Sequence, residues 1–380
     1  LHNPNKEKTR GDSSMFQFGI EHEVAFLNQD GTFADFSCTS FAKFDQIIEA
    51  LPTYTEDYAH LRIGDAGIKK KRWYIEGFER FRDSEKVIDC LPKGIEIRTT
   101  IHSEIDSAIA ELSTSFNLLR EMATSFGLIP VLVSFNPFHT QFVPNPPLNE
   151  YEIQRRQASP EKQTANIPML TYGPDLNLSV AGLSTEQLID VGQKLTFYSP
   201  YMVPFSFSSP FRGGDRWHGL SARTYERTGA RPAAMVFVER TQDLIKSTPS
   251  LTKIARLSAE VGRIEFKAFD SCDDFEMYAA LLALLKGLVL DQSLPGRATI
   301  PDRALHQQSA IAGFDDPNIF LNAVQVLSAV EVALSHDRDF DKLASLKAML
   351  ESGKTPAHRL IDSFTTTGSI EAALRQTYRN

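Results

Sequence analysis

Two glutamates, Glu21 and Glu23, lie in the run Phe16-Gln-Phe-Gly-Ile-Glu-His-Glu-Val-Ala-Phe-Leu27. The run alternates like a strand, so the two carboxylates share one face while Ile20, His22 and Val24 share the other. Adjacent anions repel, and a cation between them relieves the repulsion. One reading is half of a divalent-metal site; the other is the solvated face of an antiparallel strand. His22, on the apolar side, reads as a core or supporting group rather than a ligand.

Two further segments repeat the pattern. Lys93-Gly-Ile-Glu-Ile-Arg-Thr-Thr100 puts Glu96 and Arg98 on one face, against Ile95 and Ile97. Gly262-Arg-Ile-Glu-Phe-Lys267 puts Arg263, Glu265 and Lys267 together, against Ile264 and Phe266. Acid and base alternating along a strand also suits plain cross-strand pairing. If the three faces converge, Glu21, Glu23, Glu96 and Glu265 supply oxygen ligands, and Arg98, Lys267 and Arg223 supply positive charge. Such ligands select Mg²⁺ or Mn²⁺, which bridge carboxylates to nucleotide phosphates and suit phosphoryl transfer. Competing signatures are missing: no G-x-x-x-x-G-K-[ST], no G-x-G-x-x-G after a strand, no G-x-S-x-G and no H-E-x-x-H. A glycosidase could use paired carboxylates, but Trp73 and Trp217 alone make a poor aromatic cleft.

These residues need strands to aim them and helices to back the strands. Helical spacing runs from Ser40 to Leu51 and stops at Pro52, and alternating stretches at 59–64, 72–81 and 87–99 read as antiparallel strands. Ser103-Glu-Ile-Asp106 reads as a capping box for a helix ended by Gly127, and Ser184-Thr-Glu-Gln187 as another. Strands follow at 128–135, 176–180 and 262–269, and an acidic cap at Asp273-Asp274 opens a helix through Leu290. From Asn318 the pattern is helical almost to the end. Residues 142–163, rich in proline and charge, read as a long surface loop able to cover part of a site, and Lys69-Lys-Lys-Arg72 as a solvated turn. The expected fold is α+β: one catalytic domain over 15–380, helical from about 275, behind a flexible arm at 1–14.

A chain of 380 residues with ordinary apolar content can bury a large core, and its net charge of -8 argues against general affinity for nucleic acid or anionic lipid. Three cysteines without C-x-x-C spacing suit a reduced compartment, and no apolar run is long enough to span a bilayer. The expectation is a soluble, unexported, cytoplasmic protein. Partners would be small molecules, with neither nucleic acid nor membrane among them, and a homo-oligomer is open.

Four motifs in order, Phe18-Gly-Ile-Glu-His-Glu23, Gly94-Ile-Glu-Ile-Arg-Thr99, Ser208-Ser-Pro-Phe211 with Gly219-Leu-Ser-Ala-Arg223, and Gly262-Arg-Ile-Glu-Phe-Lys-Ala-Phe-Asp270, resemble the glutamate-cysteine ligase type 2 family of carboxylate-amine ligases, related in fold to glutamine synthetase. The resemblance spans about Phe16 to Leu290. It implies a curved, mainly antiparallel sheet whose concave face holds ATP, Mg²⁺ and an amino acid, with helices on the other face. It also implies metal binding by Glu21, Glu23, Glu96 and Glu265, catalytic roles for Arg223 and Glu265, and nucleotide contacts from Arg98, Arg223, Lys267 and Asn177. In such enzymes ATP phosphorylates a carboxylate, usually the γ-carboxylate of glutamate, and an amine then attacks the acyl phosphate. Cysteine is the first candidate amine, as in glutathione biosynthesis. The chain departs from the family at Asp175-Leu-Asn177, where many relatives have His-x-His, at Phe135-Asn-Pro-Phe138, where they have Thr-His-Pro-Phe, and near Leu305-His-Gln-Gln-Ser309, which lacks Glu-Asn-x-x-x-Ala. A ligase for another acid and amine, or a protein that binds nucleotide or amino acid without turnover, are the alternatives.

Overall fold

Strand β1 (Phe16–Asn28) is the centre of the molecule because it pairs with three neighbours at once. On one side lies β3 (Val87–Arg98), itself paired with β2 (Trp73–Phe81). On the other, the first half of β1 pairs with β5 (Asp175–Val180) and its last residues with β4 (Leu128–Val131). Beyond β5 come β8 (Ile264–Phe266), β6 (Ala234–Val238) and β7 (Thr252–Ile254). The eight strands form one curled sheet, antiparallel at every pairing except β6 with β7. This computed structural model describes residues 15–61 and 71–378. The arm expected at 1–14, and Lys69 and Lys70, lie outside the described residues.

The alternation of β1 decides its two faces. Phe16, Phe18, Ile20, His22 and Val24 are buried under the helices, while Glu21 and Glu23 are half-buried on the concave side. Ile95 and Ile97 of β3 and Ile264 and Phe266 of β8 join the same apolar layer. Against it pack α1 (Phe41–Ala50), α2 (Ile105–Ser125), α3 (Thr185–Met202), α5 (Glu276–Leu290) and α6 (Pro317–Ala333); the short α4 (Ala222–Arg227) belongs to the site. Helix α5 is buried from Tyr278 to Leu288, which is why its sequence is apolar all round. Further helices at 344–352, 356–367 and 370–374 bear out the helical end of the chain.

Several local expectations hold and several do not. Ser40 caps α1, and Ser184 with Gln187 forms a reciprocal capping box on α3. Ser103 does not cap α2: Glu104 takes that position without a side-chain cap bond, and its carboxylate accepts from Arg338 at 2.6 Å instead. The strand expected at 59–64 is absent from its described part, where Asp57–His60 is a helical turn anchored by Arg72 Nε donating to Asp57 at 2.9 Å. Lys71 and Arg72 are buried rather than solvated. Lys71 Nζ donates to the Ile48 and Leu51 carbonyls at 2.7 and 2.9 Å, meeting the unsatisfied end of α1. The loop at 142–163 contains two short helices, Glu150–Arg156 and Pro160–Gln163, pinned through buried Glu152 to Arg80 at 2.8 Å. The three cysteines are free. No described helix is long and apolar enough to cross a membrane.

Candidate active site

Register turns the separate alternations into a grid. Glu23 lies opposite Glu96, Glu21 lies between Arg98 and Asp175, and Glu265 lies opposite Asn177. On the outer strand β2, Tyr74 faces Glu96. All of these side chains line one concave cavity of about 330 Å³, together with Glu76, Arg223, Arg263 and Lys267. The sheet, with α4 supplying Arg223, therefore brings every sequence-predicted site residue to a single surface.

Within it, Glu21, Asp175 and Glu265 offer carboxylate oxygens within 4.8 Å of one another, a spacing that one divalent cation bridges. Glu23 and Glu96 lie outside that triple. Glu23 Oε2 accepts from Lys93 Nζ at 2.8 Å and from the Gly173 amide at 3.0 Å. Lys93 is fully buried and also donates to the Pro168 and Thr171 carbonyls. Glu96 approaches Arg98 Nε at 4.0 Å. Lys267 pairs with Asp175 and, at 3.2 Å, with Glu265; Arg263 stands 3.8 Å from both Glu21 and Glu265.

Crowding sets the proton affinities. Burial, then the charges of Glu265 and Asp175, push the Glu21 carboxyl up to about 7 despite Arg263 and Lys267. Burial and neighbouring carboxylates also push Glu76 up to about 7 and Glu96 well above the usual range, even against Lys93 and Arg98 respectively. Glu265 goes the other way: burial alone would raise it, but Lys267 and Arg263 outweigh burial and bring it to about 2. One cluster thus holds a carboxyl that protonates near neutrality and one that stays ionised. Asn177 adds a buried Oδ1 with no hydrogen-bond partner, an oxygen aimed at the same surface as the carboxylates. Three carboxylates and an orphaned amide oxygen form a donor set of the kind that hard cations take.

Arg223 begins a row of arginines. Its Nη1 and Nη2 donate to the Ala268 and Lys267 carbonyls at 3.1 and 2.9 Å, and Asp270 lies 3.9 Å away. Asp270 in turn gathers Ser208, Ser209 and Ser221, which explains the Ser-Ser-Pro and Leu-Ser-Ala-Arg segments. Gly173 makes room for the guanidinium, since a Cβ there would fall on it. Arg227 and Arg231 follow at intervals of four and line the same cavity.

The model of glutamate-cysteine ligase family 2 matches residues 17–376. The chain belongs to glutamate-cysteine ligase family 2. A curated relative, "Putative glutamate--cysteine ligase 2-2" of Rhodococcus jostii (strain RHA1), is 25% identical over 219 residues, 53% of this chain and 56% of that protein. The match thus spans about half the length of that relative. Among solved structures, the bifunctional glutathione synthetase of Pasteurella multocida superposes with a TM-score of 0.62 at 11% identity, over 96% of this chain and 52% of that one. The glutamate–cysteine ligase of Francisella tularensis in complex with AMP superposes at 0.57 and 12% identity, over 96% of this chain and 88% of that one. At these identities the structural likeness is one of fold.

Family membership agrees with the motifs around Glu21, Glu96, Arg223 and Glu265. Residues that sequence reasoning passed over are Tyr74 and Glu76, Lys93, Arg227 and Arg231. The first two were visible as the alternate positions of Trp73-Tyr-Ile-Glu76. The two arginines were visible in their spacing from Arg223. Lys93 carried no signal, because its role comes from carbonyls far along the chain.

Proposed function

We propose that this family member is an ATP-dependent carboxylate-amine ligase, with glutamate as the first candidate acid and cysteine as the first candidate amine. The observation that carries the reading is the grid of carboxylates and cations on one concave wall, with Glu21, Asp175 and Glu265 in bridging range. Glu21, Glu23, Glu96 and Glu265, joined by Asp175, would hold Mg²⁺ or Mn²⁺. When bound, such a cation neutralises phosphate charge.

A carboxylate is a poor electrophile until one oxygen becomes a leaving group. In the first step its oxygen attacks the γ-phosphorus of ATP and ADP leaves. In the second, the amine nitrogen attacks the acyl carbon, phosphate departs and the nitrogen loses a proton, leaving an amide. Arg223 is held rigid by two backbone carbonyls, so its charge is fixed at the cavity wall without reorganisation, as stabilisation of a transferring phosphoryl group requires. Glu265 stays ionised across the working pH range and keeps Lys267 in place. Arg98, Lys267 and Asn177 complete the proposed contacts to nucleotide and phosphate. We take residues 15–380 as one catalytic domain working in the cytoplasm.

The test is ADP release from the purified protein with glutamate, scanned over amines; a folded protein that no amine stimulates would sink the ligase reading. Lys267, already ion-paired within the carboxylate cluster, favours a second reading in which nucleotide or amino acid binds without turnover. That reading predicts a raised melting midpoint with Mg²⁺-ATP and no ADP.

A further inference from the structure

Arg227 is 5% exposed, and its Nη1 donates to the Pro232 carbonyl at 2.9 Å. Arg231 Nη1 donates to the Glu161 carbonyl at 2.6 Å, and its Nε is buried without a hydrogen-bond partner. Among the described residues no carboxylate lies within ion-pair distance of either guanidinium. Burial, and then the charges of Arg223 and Arg231, depress the proton affinity of Arg227. A buried cation beside a half-buried one, without an anion, is costly, and an anionic ligand removes the cost.

A second cavity, of about 510 Å³, shares Pro168, Arg231, Lys253 and Arg256 with the first. Six cations line this annex: Arg155, Arg156, Lys162, Arg231, Lys253 and Arg256. Its acids are Glu79 and Glu161, and the Glu161 carboxylate already accepts from the Ser250 amide and hydroxyl at 3.0 and 3.2 Å. The guanidinium carbons of Arg155 and Arg156 lie over the rings of Phe81 and Phe78, 4.2 and 4.0 Å from their centres, so each cation is held at the annex wall by an aromatic face. The annex therefore differs in kind from the main cavity. A metal-bound triphosphate needs carboxylate ligands, and the clustered carboxylates are in the main cavity. The annex offers donors and positive charge, which suit an anion that arrives without a metal.

We propose that the annex admits the amine substrate, and that this amine is an acidic molecule with at least two acid groups, carboxylate or phosphate, one of them bound between Arg227 and Arg231. This rests on the ligase reading and departs from it at the amine, because cysteine carries a single acid group. An acid group at the arginine pair and a second in the annex place the amine at the passage between the cavities, facing the carboxylate grid.

The experiment measures ADP release with glutamate and saturating Mg²⁺-ATP for four amines: glycinamide, glycine, aspartate and O-phosphoserine. The expected result is a kcat/KM at least about tenfold higher for aspartate or phosphoserine than for glycinamide. In an Arg155→Gln/Arg156→Gln variant that preference shrinks while the KM for ATP stays unchanged, and Arg156→Lys, which keeps the charge, retains most of it. Equal use of glycinamide, or a raised KM for ATP in the double variant, overturns the proposal. If no amine is turned over, the ligase reading fails by itself. Calorimetry of O-phosphoserine against glycinamide on the unmodified chain then judges the annex: acid-dependent binding lost in the double variant upholds the acid site, and its absence overturns it.

Discussion

At the β1–β5–β8 end of the concave face each clustered carboxylate has a cation against it, whereas at the arginine end the guanidiniums rest on backbone carbonyls. Glu21 has Arg263, Glu23 has Lys93, and Asp175 and Glu265 share Lys267. Arg227 and Arg231 have no such partner among the described residues. A row of acids with its own counter-charges holds its shape before any ligand arrives. Arg227 and Arg231, without them, rest on backbone carbonyls, and under the proposal above an anionic ligand supplies the counter-charge. The two ends therefore read differently: the first is preorganised structure, the second uncompensated positive charge.

The comparison breaks most visibly through Glu265. Glu265→Gln keeps the shape but removes from the triple a carboxylate that stays ionised at every working pH, and kcat should fall on the order of 10²–10³-fold with folding intact. Steady-state kinetics beside a thermal melt check it. Next comes a matched pair in urea. Lys93→Met strips a buried cation from Glu23 and two carbonyls and should cost roughly 3–5 kcal/mol, whereas Arg227→Met removes a buried cation with no acid beside it and should leave stability unchanged or raise it. Equal costs would erase the contrast between the two ends.

A pH series sharpens it further. The folded Glu21 carboxyl titrates at about 7 against an ordinary 4.5, so its ionisation opposes folding. That opposition is absent below the ordinary value, grows as pH rises and is complete above about 7. Metal-free Glu21→Gln should thus be more stable than the parent at about pH 8 and indistinguishable from it at about pH 4, by denaturant melts. A divalent cation should narrow the difference at the higher pH by stabilising the parent. The smallest effect lies on the opposite side of β1, where His22 meets the Tyr278 and Tyr378 hydroxyls at 2.8 and 3.0 Å. Tyr378→Phe removes the second contact and should cost about 1 kcal/mol in the same melts without changing kcat.

Much of this was legible in the sequence because strand alternation is local. The parity of Glu21 and Glu23, of Glu96 and Arg98, and of Arg263, Glu265 and Lys267 needs no tertiary information, and neither does the cap at Ser184. His22 was readable as a core group for the same reason. The failures are also instructive. Ser103 and Asp106 carry a sound capping-box pattern, but the helix begins one residue later, with Glu104 at the cap position and its carboxylate held by Arg338, more than two hundred positions away. Lys71 and Arg72 look like solvated charge until the open carbonyls of α1 and the buried Asp57 are in view.

The sequence by itself determined which side chains share a strand face, and hence that carboxylates and cations would be presented together. Only the tertiary structure decided which of them meet. Register set Glu21 between Arg98 and Asp175 and put Glu265 across from Asn177, so the bridging triple contains Asp175, while Glu23 went to Lys93. The reason is that alternation along a strand follows from bond geometry within a few residues, whereas pairing between strands is chosen by the whole apolar layer behind them.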